Sequence, residues 1–167
     1  MDSIERIARA LNDNEVRFIV VGGLAVVAHG YGRQTQDLDL VIQLEPGSIL
    51  RAFVALAGLG YRPRVPVTVD AFADPRQRAQ LIEDKGMMVL GFHSERHRET
   101  PVDLFATEPF DFDAEYAAAL VEEVAPGVPV RIVRLETLLR LKRGAGRPQD
   151  LADIAELTQF DRGEANG

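Results

Sequence analysis

The 167-residue chain has no cysteine, no tryptophan and only three histidines. Without cysteine there is no disulfide scaffold, no thiol nucleophile and no thiolate metal site. Three scattered histidines make a zinc centre a poor expectation too. Long apolar runs are also missing. The longest, such as Phe18–Val21 and Leu24–Ala28, fall far short of the roughly 20 residues that cross a bilayer. The opening Met-Asp-Ser-Ile-Glu-Arg lacks a basic segment followed by an apolar core, so no secretory signal is read, and the expectation is a cytoplasmic protein with no membrane contact. Positive charge is scarce, with 19 Lys and Arg against 26 Asp and Glu and a net charge of −7. That balance argues against broad nucleic-acid binding through a basic footprint.

What remains is an ordinary globular composition, 46% hydrophobic and 27% charged, at a length that suits one domain with a sizeable core. Charge is uneven along it. Between Arg131 and Arg147 six basic residues (Arg131, Arg134, Arg140, Lys142, Arg143, Arg147) face a single acid, Glu136. Such a cluster is either a solvated helix face or a place for a phosphate-rich ligand.

Periodicity predicts a helix over Asp2–Asn14, a buried strand over Val16–Val21 ending at Gly22-Gly23, a short helix over Leu24–His29 and a loop over Tyr31–Gln36. A second strand is expected over Leu38–Leu44 and a helix from Pro46 to Leu59. Tyr61–Val69, with two prolines, reads as a broken or edge strand, and Asp74-Pro75 opens a helix through Ile82. Met87–Phe92 and Val102–Phe105 are strand candidates, Asp113–Leu120 a helix, and Val121–Val124 with Val128–Val133 a hairpin. Helices over Leu135–Arg143 and from Pro148 to Phe160 close the chain, with 161–167 as a frayed tail. The expected fold class is therefore α+β, a small mixed and mostly antiparallel sheet with flanking helices. The core spans 1–134, and a helical region over 135–160 packs on it.

Asp37 and Asp39 are the first informative pair. Two residues apart in a strand, they point the same way. Two carboxylates on one face repel unless a cation lies between them, and Leu38, Leu40, Val41 and Ile42 carry that strand into the core. A hard divalent cation such as magnesium suits such oxygen ligands. Upstream, Gly22-Gly23 ends one strand and starts a helix, leaving backbone N–H groups free where a phosphate can approach. Asp103, inside the apolar run Val102–Phe105, is a third acid in a place where a lone carboxylate is costly.

The thirteen-residue gap between Gly23 and Asp37, the Gly-Gly turn and the acid–apolar–acid strand resemble the signature of the DNA polymerase beta-like nucleotidyltransferase superfamily. Gly22-Gly23-Leu24-Ala25, His29-Gly30, Arg33, Thr35 and Asp37-Leu38-Asp39 are similar, more narrowly, to the AbiEii-type abortive-infection nucleotidyltransferases. The resemblance covers about Val16 to Phe105, and more weakly Leu135 to Leu157. It implies a nucleotidyltransferase fold and transfer of a nucleoside monophosphate from a nucleoside triphosphate, ATP among them, to an acceptor hydroxyl on tRNA, a protein or a small molecule. It further implies two Mg2+ ions on Asp37, Asp39 and Asp103, with Asp103 also helping to deprotonate the acceptor. Gly22 and Gly23 would receive phosphates, and Thr35 lies in the same loop as Arg33, which would hold a phosphate or pair with a site carboxylate. Lys142 would contact the triphosphate, and Asp150 or Asp153 would brace it or Arg147. Gln149 departs from the basic residue common there. Members of that group usually act as toxins beside a separate antitoxin protein, which puts such a partner among the expectations. His29 reads as a structural helix-end residue, and Arg96, His97 and Arg98, with His93, as an exposed hairpin loop. The rival reading is a non-catalytic binding or regulatory module, against which the retention of three mutually repelling acids argues.

Overall fold

The structure is a computed structural model, and it describes residues 2–165. Helix α1 (Ser3–Asp13) is capped by the Asp2 side chain, which accepts from the Glu5 amide, and buries Ile7, Ala8 and Leu11. Strand β1 (Phe18–Val21), buried at every residue, runs straight into α2 (Gly22–Ala28). After a loop come β2 (Leu38–Ile42) and α3 (Pro46–Gly58), the latter opened by proline in its first turn. The two-residue strand β3 (Arg62–Pro63) is followed by α4 (Val69–Ala73) and α5 (Pro75–Lys85). Then come β4 (Val89–His93), β5 (Val102–Phe105), α6 (Phe112–Ala118), the hairpin β6 (Leu120–Ala125) and β7 (Val128–Ile132), and finally α7 (Leu135–Ala145) and α8 (Pro148–Ala165).

Beyond shifts of a few residues at element ends, such as α5 running on to Lys85 and α7 to Ala145, the sequence pattern differs from this in three places. Helix α4 is absent from it; Thr68 makes the helix by accepting from the Ala71 amide, a local cap that outweighs the β-branched residues around it. Leu120 opens β6 rather than ending α6, because Ala119 already has extended backbone. The last helix does not stop at Phe160 but continues to Ala165: Asp161–Ala165 contains no proline, and its one glycine costs only about 1 kcal/mol. Residues 166–167 of the expected tail lie outside the described residues.

Seven strands form one sheet in the order β3-β4-β5-β2-β1-β7-β6. The pairs β1/β2, β3/β4, β4/β5 and β6/β7 are antiparallel, while β1/β7 and β2/β5 are parallel. This is the mixed, mostly antiparallel sheet the sequence predicts. Leu38, Leu40 and Ile42 point to one face and are buried there. At about 1.5–3 kcal/mol for each large apolar side chain fully buried, these positions pin the register of β2 and so the place of Asp39 on the other face. Helix α1 lies against α3, β6 and β7; α7 and α8 lie against each other, and α7 also meets α2. Helix α7, with α8 packed on it, is thereby brought back to the end of the sheet where β1 ends and β2 begins.

Candidate functional site

One cross-strand row organises the site. Val21 is opposite Asp39, Asp39 opposite Asp103, and Asp103 opposite Gly91. The row continues to Arg64, whose amide donates to the Gly91 carbonyl at 2.8 Å. Neighbours in a row share a face, so Asp39, Asp103 and Arg64 look the same way. Asp37 stands just ahead of β2, exposed, rather than inside the strand as its spacing predicts. It still acts on both other acids through its charge.

These carboxyls are not compensated. Burial, then the charges of Asp103 and Asp37, push Asp39 up to about 6, against a weaker opposing pull from Lys142. Burial first and Asp37 second raise Asp103, with Arg64 pulling it down. The two side chains also act on each other directly, which adds to the rise at Asp39 and opposes it at Asp103. Among the described residues no group of three or more histidine, aspartate or glutamate side chains is gathered closely enough to hold an ion. The donor chemistry nonetheless fits a hard cation: two half-buried carboxyls side by side, a third in electrostatic reach, and, among the described residues, no ion pair to any of them.

Gly22 and Gly23 make the approach from β1 possible. Gly22 has φ +66°, and a Cβ there would stand 2.0 Å from Asp39 Oδ2, so any side chain would displace the carboxylate. A Cβ on Gly23 would stand 2.5 Å from Thr35 Oγ1 and 2.8 Å from Arg33 Nη2. The start of α2 therefore sits under Asp39, Thr35 and Arg33 together.

The C-terminal helices close this side. Lys142 is buried, its Nζ donating to Asp150 Oδ1 at 3.2 Å and to Asp153 Oδ2 at 2.9 Å. Asp153, fully buried, also faces Arg33, with Arg33 Nε 3.0 Å from its Oδ1. Asp150 is held by Arg147 as well, through both its amide (3.1 Å) and Nε (2.7 Å). Hydrogen bonds from Arg147 and Lys142 hold the Asp150 carboxyl below its ordinary value despite its burial. The brace expected of one of these two acids is thus shared by both. Gln149 donates to Asp153 Oδ1 at 2.9 Å, a neutral contact inside the same network.

The rest of the basic cluster faces elsewhere. Arg131 lies over the Tyr116 ring and donates to its carbonyl at 2.7 Å. Arg134 binds Glu115 and Glu136. From this cluster Lys142 lowers Asp39, and the Asp39 charge is felt at Arg147. His29 meets the Val133 carbonyl at 2.7 Å, the structural role its position predicts. His97 departs from the exposed hairpin reading. It is buried, stacked on Tyr61 and bonded to Ser3 Oγ at 2.8 Å. Tyr61 holds the same loop through the Thr100 carbonyl at 2.6 Å. Arg96 turns to the Gly58 carbonyl (2.8 Å), and Arg98 pairs with Glu95. Sequence reasoning missed Arg64 and Gly91. A lone glycine inside an apolar strand was the available signal, since it marks a close approach.

No family model matches the chain, and no curated protein matches it in sequence. Solved structures do. The crystal structure of ANT(2'')-Ia in complex with adenylyl-2''-tobramycin superposes with a TM-score of 0.57 at 16% identity, covering 98% of this chain and 89% of that one. The solution structure of the antibiotic-resistance factor ANT(2'')-Ia gives 0.56 at 18% identity, covering 96% and 83%. The fold is a nucleotidyltransferase fold. Within that fold the Val21–Asp39–Asp103 row crosses the adjacent strands β1, β2 and β5, and Gly22 stands beside it at the start of α2. No described helix is long and apolar enough to cross a membrane.

Proposed function

We propose that the chain is a nucleotidyltransferase that moves a nucleoside monophosphate from a nucleoside triphosphate to an acceptor hydroxyl. The observation that carries this is the register of Asp39 with Asp103 across β2 and β5, in a fold shared with ANT(2'')-Ia. Phosphoryl transfer asks mainly for positioning and charge neutralisation, and both are supplied around this row. Gly22 and Gly23 let phosphate oxygens reach backbone N–H groups. Lys142 and Arg147, held in place by Asp150 and Asp153, set positive charge beside Asp39. Arg33, anchored by Asp153, and Thr35 flank Gly23.

Asp37, Asp39 and Asp103 would hold two Mg2+ ions, which neutralise the triphosphate and favour the ionised acceptor hydroxyl when bound. The acceptor oxygen attacks the α-phosphorus, the bond to the β-phosphate breaks, and pyrophosphate leaves with that electron pair. Asp103 would accept the acceptor proton. The resemblance to AbiEii-type toxins makes an antitoxin partner and a cytoplasmic setting part of the same reading.

Titration calorimetry with each of the four ribonucleoside triphosphates, with and without Mg2+, tests it on the wild type and on D37N/D39N. Mg2+-dependent binding of one nucleotide, weakened at least tenfold in the variant, is expected. Absence of binding to folded wild-type protein would remove the catalytic reading and leave a nucleotidyltransferase-fold binding module.

A further inference from the structure

The row through the acids continues past them. Beyond Asp103 it reaches Gly91 and then Arg64, and the next pair outward on the same face is His93 with Arg62. Gly91 has ordinary φ, so what its missing side chain provides is space. A Cβ there would stand 3.2 Å from Asp103 Oδ1 and 3.4 Å from Arg64 Cδ. The Arg64 stem thus crosses over Gly91 toward Asp103, and its charge is felt by that carboxyl. Arg62, Arg64 and His93 are all exposed. Among the described residues neither Arg62 nor Arg64 forms an ion pair, whereas Arg33, Lys142 and Arg147 at the opposite end of the row all do. One guanidinium in line with Asp103 and a second beside it on the same face, both uncommitted and open to solvent, are suited to binding an anion.

We propose that the β3–β4 edge is the acceptor subsite, and that the acceptor carries a phosphate group beside the hydroxyl that receives the nucleotide. This rests on the nucleotidyl-transfer reading. With the triphosphate lodged at the Gly22 end, the attacking hydroxyl arrives from the far side of Asp103. That is the lane Gly91 keeps open, and Arg62 and Arg64 line it. A phosphate placed there is held by both guanidiniums and sets the hydroxyl at Asp103. A polyamine acceptor such as the tobramycin named in the ANT(2'') complex meets like charge instead. The transferred atoms balance as in the general reaction: the acceptor oxygen bonds to the α-phosphorus, pyrophosphate leaves, and the proton passes to Asp103.

The test fills the donor site with the α,β-methylene analogue of whichever triphosphate binds, in Mg2+. Ribose 5-phosphate, a short oligoribonucleotide and tobramycin are then titrated in turn. At least one phosphate-bearing probe should bind and tobramycin should not. Preference for the sugar phosphate or for the oligonucleotide tells whether the phosphate belongs to a small compound or to a nucleic-acid strand. The exposed-edge variant R62Q/R64Q, shown to be folded by its thermal melt, should lose at least tenfold in affinity for that probe. R9Q on α1, outside the site, should change it less than twofold. Tobramycin binding as tightly as the phosphate probes, no phosphate probe binding, or R62Q/R64Q retaining wild-type affinity would each overturn the subsite while leaving donor binding intact. Failure of all four triphosphates to bind is a separate result, which removes the underlying reading and this inference with it.

Discussion

Two groups of buried or half-buried carboxylates lie in this protein and are treated in opposite ways. Glu115, on α6, receives hydrogen bonds from Arg134 Nη2 (2.9 Å), the Arg134 amide (3.1 Å) and Thr137 (3.0 Å). Its carboxyl is held below its ordinary value although burial opposes this. Asp150 and Asp153 are likewise enclosed by Lys142, Arg147 and Arg33. Among the described residues Asp39 and Asp103 form no ion pair; burial raises both, with Asp103 and Asp37 adding at Asp39 and Asp37 adding at Asp103. The chain therefore has the means to neutralise buried acids and uses them one loop away from the pair it leaves in conflict. Carboxylates that stabilise the fold are paired, whereas the pair left to repel is the one to which the proposed function assigns the cation and the substrate.

Breaking the paired side should cost the most. K142M leaves Asp150 and Asp153 buried with one cation fewer, so a loss of about 3–5 kcal/mol is expected. Chemical denaturation reads it, and a loss below 1 kcal/mol would mean that the network contributes little to stability. Breaking the unpaired side should have the opposite sign. Asp39 is raised from 3.8 to about 6. Its penalty is thus absent below pH 4, grows as pH rises, and is complete above pH 6. Without divalent cations, D39N should be more stable than wild type by up to about 3 kcal/mol at pH 7. That advantage should vanish near pH 4, and millimolar Mg2+ should narrow it by stabilising the wild type. Parallel melts at the two pH values decide this, and a pH-independent difference would contradict the uncompensated pair.

Two smaller changes sharpen the contrast. G22A would place a methyl 2.0 Å from Asp39 Oδ2 at φ +66°, costing about 2–3 kcal/mol by strain and displacement. It should weaken Mg2+-dependent nucleotide binding even where the protein is folded, and unchanged binding would count against the role given to Gly22. E115Q keeps the shape but halves the charge-assisted bonding to Arg134. A loss of about 1–3 kcal/mol, with no effect on nucleotide affinity, separates the structural acid from the site acids.

Legibility in the sequence followed distance along the chain. Asp39 and the Gly22-Gly23 turn were readable because strand alternation and a short strand–turn–helix link are local, whereas the same alternation put Asp37 inside a strand that begins one residue later. Asp103 was readable as an acid out of place in an apolar strand. Lys142, Asp150 and Asp153 could be nominated only through resemblance, since nothing in their spacing says that α7 and α8 fold back onto α2. His97 does lie in the loop between β4 and β5, but it was read as exposed because the stretch is basic and polar; the stacking on Tyr61 that buries it joins positions 36 residues apart. Arg64 was missed entirely: its neighbour in the site is Asp103, two strands away, and a two-residue edge strand carries no periodicity.

The sequence by itself determined which residues repel, which strands are buried and where the backbone must be bare of side chains, because those are matters of residue type and local period. The tertiary structure alone decided which carboxylates received a cation and which did not, and which arginine stands in line with them. Strand register and helix docking bring together groups that the chain keeps far apart, and their charges act through space.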